Sequence, residues 1–156
     1  MHNQNEWFPS ALNAWDWDTF VVDARALFSR WRALTASEAP WTEMAADDAA
    51  GCMRSVISEL VNEAHEPCDG SHDWRLLLAA FEHGRFRRLQ GCSSAILTRE
   101  FDALRTGLRA VLGDTLISPS VVADALVVLE PELVAAGEAA MAGWEGMCQR
   151  PQGADS

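Results

Sequence analysis

Apolar residues recur along this chain at spacings of three and four, the period that lines one face of an α-helix. Nowhere do they alternate in twos, as a half-buried strand would require. Trp17, Phe20, Val21, Ala24, Phe28, Trp31 and Leu34 form the first such stripe and predict a helix over 16–34. The stretch 35–41 contains Pro40 and reads as a loop. Cys52, Met53, Val56, Ile57, Leu60 and Val61 predict a second helix over 47–64, with Asp47 or Asp48 as its N-cap. The turn-rich run 65–71 leads to a third helix, capped by Ser71 or Asp73 and broken at Gly91. A fourth starts at Ser93 or Ser94, carries Leu97, Phe101, Leu104, Leu108 and Val111, and ends near Leu112 with Gly113 as its stop. Ser118-Pro119 is a helix start, and the stripe Val122, Leu126, Leu129, Leu133, Ala140, Trp144 and Met147 keeps its phase across Pro131. One kinked helix is therefore expected there rather than two. The expected fold is all-α, an antiparallel bundle of about five helices. It occupies 16–150, between an N-terminal extension (1–15) and a disordered tail (151–156).

Several polar residues break this pattern. On a wheel of 100° per residue, Glu82, Arg85 and Arg88 share the solvated arc of the third helix. Opposite them lie Leu76, Ala80, His83 and Arg87, so an imidazole and a guanidinium point toward the core. A buried arginine needs a partner, because an unpaired charge in a core costs several kcal/mol. Reversing the chain near Cys92 brings Glu100 of the fourth helix to the level of both, with Arg105 bordering the other side of its stripe. A His83–Arg87–Glu100 network is expected across the hairpin. It either fixes helix register or forms a ligand-binding or switch site that includes Gly84 and Arg105. No nucleophile or oxyanion hole accompanies it, so catalysis by His83 and Glu100 is the lesser reading. Gly84 in mid-helix costs about 1 kcal/mol against alanine, which points to close approach of a backbone or a ligand.

Charge narrows the partners. The chain carries a net charge of −11, and its twelve cationic residues are all arginine. Such a surface repels phosphate backbones and anionic lipid, which disfavours nucleic acid and membranes. No apolar run reaches the ~20 residues of a membrane span, and the first residues lack the features of a signal peptide, so a cytoplasmic protein is expected. Cys52, Cys68, Cys92 and Cys148 form no C-x-x-C pair and read as small buried side chains or free thiols. His65, Cys68 and His72 have spacing that could hold zinc, yet no second cysteine pair supports it and a plain turn is the expected reading. No cofactor is called for. The alternative to a regulatory role is a metal- or haem-binding protein, or a minor enzyme, using His83 and Glu100 or the 65–72 loop.

The run His83-Gly84-Arg85-Phe86-Arg87-Arg88-Leu89-Gln90-Gly91, followed by Glu100-Phe101-Asp102-Ala103-Leu104-Arg105, resembles a family pattern. It is similar to the N-terminal domain of RsbRD type, the input domain of stressosome regulators and some bacterial sensor histidine kinases. That pattern is H-G-x-x-R-x-x-x-G and, nine residues later, E-[FY]-x-x-L-R. His83, Gly84, Arg87, Gly91, Glu100, Phe101, Leu104 and Arg105 fall on it. Trp31 and the acidic helix around Asp47–Leu60 match more softly, and the resemblance spans 18–148. It implies an all-helical, non-catalytic sensor domain in signal transduction. These residues include no output domain, so the implied partner is a separate kinase or STAS-type output protein, with a homodimer as the other assembly expected.

Overall fold

The computed structural model describes residues 23–65, 74–115 and 118–148, and every regular element among them is helical. The expected all-α bundle is the fold. Six α-helices follow one another: α1 (Ala24–Thr35), α2 (Ala46–Ala50), α3 (Met53–His65), α4 (Trp74–Leu89), α5 (Ser94–Thr115) and α6 (Pro119–Cys148). A single 3-10 turn, Trp41–Glu43, lies between α1 and α2. No described helix is long and apolar enough to cross a membrane.

The helix boundaries correct the sequence reading in four places. Asp23 has extended backbone and its carboxylate accepts from the Arg25 N–H, so α1 starts at Ala24; Trp17, Phe20 and Val21 of the expected stripe lie outside the described residues. Its buried face is Leu27, Trp31 and Thr35, whereas Leu34 is exposed. The expected second helix is two, because Gly51 takes φ +55 and interrupts the ladder. Neither Asp47 nor Asp48 caps it; the N-cap of α2 is Ala45, without a side-chain bond. Finally, α5 runs through Gly113 to Thr115. Gly113 lacks the positive φ that ends a helix at a glycine, so the helical ladder passes through it.

Other signals were met. At the end of α4, Gly91 takes φ +83, Cys92 N–H donates to the Arg87 carbonyl and Gly91 N–H to that of Arg88. This is the Schellman arrangement that stops a helix. Helix α6 is continuous through Pro131. Proline removes the bond to the carbonyl four residues earlier, and both Val127 and Pro131 are exposed, so water can satisfy what the ring denies.

Helix α4 packs chiefly on α6, and α6 and α1 both pack on α5. The α4–α6 crossing is antiparallel and unusually close. A Cβ on Gly84 would overlap the Ala140 carbonyl, and one on Gly143 would overlap the Phe81 carbonyl. Two glycines thus bring the two backbones together, and a backbone, rather than a ligand, is the reason for Gly84. The α4 and α5 backbones meet little, leaving between them a gap that long side chains bridge. Around it Leu27, Trp31, Met53, Ile57, Leu60, Leu76, Leu97, Leu104, Leu108, Leu112 and Leu129 are fully buried, each contributing about 1.5–3 kcal/mol of burial if aliphatic and more if aromatic.

Candidate functional site

The buried polar centre is built from α4, α5 and the connection between α1 and α3. His83 and Arg87 lie one turn apart on the core face of α4, and Glu100 lies on that of α5; all three are fully buried. The Arg87 guanidinium grips the Glu100 carboxylate with Nε at 3.1 Å from Oε1 and Nη2 at 2.7 Å from Oε2. Its other N–H groups donate to the carbonyls of Asp48 and Ala49, each at 2.6 Å, and to Gln90 Oε1 at 2.8 Å. All five guanidinium N–H groups therefore have an acceptor.

Glu100 is equally complete. Besides Arg87, it accepts from His83 Nε2 at 2.8 Å and from the Trp41 indole at 3.2 Å. The Trp31 indole donates to its backbone carbonyl at 3.1 Å. On the far side of the imidazole, the Cys52 N–H donates to Nδ1 at 3.2 Å. That donor assigns the ring proton to Nε2, which donates it to Glu100. Burial by itself would raise the Glu100 carboxyl; hydrogen bonds from His83 and Arg87, and the guanidinium charge, outweigh it and hold the group below the usual carboxylate range.

Gly51 explains how Cys52 reaches the imidazole. Its positive φ turns the chain between α2 and α3, and a Cβ there would press on the His83 ring at 3.0 Å and on Phe86 at 3.2 Å. The edge of Phe101 closes the other side of that ring, with centroids 6.4 Å apart.

Of the five residues singled out in the sequence, the structure brings together His83, Arg87 and Glu100. Gly84 faces away, onto the backbone of α6, and Arg105 lies apart, in a groove between α5 and α6. Sequence reading missed Trp31, Trp41, Gln90 and the carbonyls of α2. A buried indole needs an acceptor, and that need was the one available signal for the tryptophans. Arg88, read as solvated, lies over the Trp144 ring at 4.5 Å, while the Trp144 N–H donates to the Cys92 carbonyl at 2.8 Å. Cys52 and Cys92 are half-buried free thiols, both pushed up chiefly by burial. Cys68 and His72 lie outside the described residues, as does the side chain of His65. Among the described residues, no three His, Cys, Asp or Glu side chains gather as a metal ion would need.

The arrangement is a closed polar knot. Every strong donor and acceptor in it is engaged, and it is sealed from solvent, so it can hold α2, α4 and α5 together but offers no free valence to a ligand. No family model, curated protein or solved structure matches the chain.

Proposed function

We propose that the protein is a cytoplasmic, non-catalytic regulatory module that acts by binding a partner protein. The observation that supports this reading is the completeness of the Arg87–Glu100 knot. A general acid or base must reach a substrate, and this cluster has neither exposure nor an unused hydrogen bond. Its work is to fix the connection 36–52 against the α4–α5 hairpin. The resemblance of 83–105 to a sensor-domain pattern adds support, and on that resemblance the partner is a bacterial kinase or STAS-type output protein.

Two measurements test the reading. The purified protein is expected to show no Soret band and no stoichiometric metal. Cross-linking in cells followed by mass spectrometry is expected to attach one signalling protein to the folded module. Bound haem, a zinc ion removable only with loss of the fold, or turnover of a substrate would overturn it.

A further inference from the structure

Between α5 and α6 runs an open groove of about 320 Å³. Its floor is Leu97, Phe101, Leu133, Gly137 and Met141, and Val134 on its edge is 47% exposed. The apolar surface continues along α6 to Val127, which is 62% exposed. Large aliphatic side chains left this open on one helix mark an interaction surface more often than isolated exposed residues do.

The charged residues of α6 are all acidic: Asp124, Glu130, Glu132, Glu138 and Glu145. Glu130 is paired with Arg109 of α5 at 2.6 Å and Glu132 is buried, so neither adds free charge to the groove. Asp102 and Glu138 line the groove itself, and both are exposed. Arg105 is the cation beside them, and its Nε is buried without a hydrogen-bond partner. A buried donor left unmet is unfavourable, and an arriving acceptor relieves that once the guanidinium turns.

From these observations we infer that the α5–α6 groove docks an amphipathic helix with a basic flank. The occupant's apolar stripe lies on Phe101, Val134 and Met141, its arginines or lysines face Asp102 and Glu138, and a side-chain or helix-terminal acceptor meets Arg105. A second copy of this chain fits poorly. A two-fold contact presents the same patch twice and would set the acids of α6 against themselves. The inference rests on the partner-binding reading above and names the surface and the chemistry of the partner.

The probe is a labelled helical peptide of about 16 residues, long enough to span 127–141 at 1.5 Å per residue. It carries leucines at i, i+3, i+4 and i+7 and arginines elsewhere. The full-length protein is expected to bind it at least tenfold more tightly than a version with glutamate for arginine. The same margin is expected over a basic version with scrambled leucines. Val134→Arg combined with Glu138→Arg should weaken binding at least tenfold, with the circular dichroism and melting temperature unchanged. Leu34→Arg, on the exposed side of α1, should leave it intact. Equal binding of the acidic or scrambled peptide overturns the inference, as does a double variant that binds like the parent. A dimer in sedimentation that Val134→Arg dissolves would assign the face to a second copy and overturn it too. A partner cross-linked at another face would leave the module reading standing and remove this one alone.

Discussion

The two polar features on α5 lie barely a turn apart and behave in opposite ways. Glu100 is sealed, with every lone pair spoken for, while Asp102 and Arg105 border an open groove, one exposed and the other carrying an unmet donor. The first arrangement is expensive to disturb and indifferent to solvent. The second tolerates change and is answerable to whatever arrives. Buried titratable residues draw the eye as candidate chemistry, yet here completeness of hydrogen bonding argues for architecture, and incompleteness at the surface for recognition.

The knot is the more sensitive of the two. Glu100→Ala or Arg87→Ala is expected to cost about 3–5 kcal/mol in urea melts, since each strands a buried charge. The double variant should cost clearly less than the two together. Additive effects would show that the pair is not coupled. Next comes the helix crossing beneath it. Gly84→Ala sets a methyl into the Ala140 carbonyl and should cost about 3 kcal/mol, the upper end for overpacking. A neutral substitution would mean that α4 and α6 stand further apart.

Acid sharpens the contrast further. Because the folded Glu100 carboxyl lies below its ordinary range, its contribution is complete above the unfolded value, near pH 4.3, and is lost as pH falls through the lower folded value. Stability measured between about pH 3 and 6 should fall on the acid side in the parent, and Glu100→Gln should remove that part of the slope. Parallel curves would sink the assignment. Smallest is the effect on the groove. Val134→Arg alone should move stability by no more than about 0.5 kcal/mol, as exposed positions do. A large loss would make that face part of the core.

The sequence reveals the knot because α4 violates its own pattern. Its core face carries His83 and Arg87 beside Leu76 and Ala80, opposite the charged arc of Glu82, Arg85 and Arg88, and a helical wheel exposes the misplaced pair. Glu100 follows from chain reversal at Gly91. What could not be read is whatever depends on distant contacts. The apolar phase from Cys52 to Val61 continues smoothly past Gly51, and the reason for the break, an amide owed to His83, lies 31 positions away in the chain. Trp41 sits in a stretch with no periodicity, so its burial against Glu100 had no local signature. Gly91 and Gly113 are the same residue with opposite fates: Gly91 takes φ +83 and closes the Cys92 and Gly91 hydrogen bonds that end α4, while Gly113 keeps the helical backbone of α5. Arg105 borders the same stripe as Glu100, yet its position on the wheel sends it to the neighbouring interface.

The interlocked glycines have a mechanical consequence. Where side chains separate two helices, rotamer changes absorb small displacements like a gasket. Between Gly84 and Ala140, and between Gly143 and Phe81, peptide groups touch directly and no gasket exists. Helix α6, about 45 Å long at 1.5 Å per residue, is clamped near one end to α4 and carries the groove wall along its middle. The groove wall borders that clamp at Met141, so at this crossing the two helices cannot be brought closer without bending a backbone.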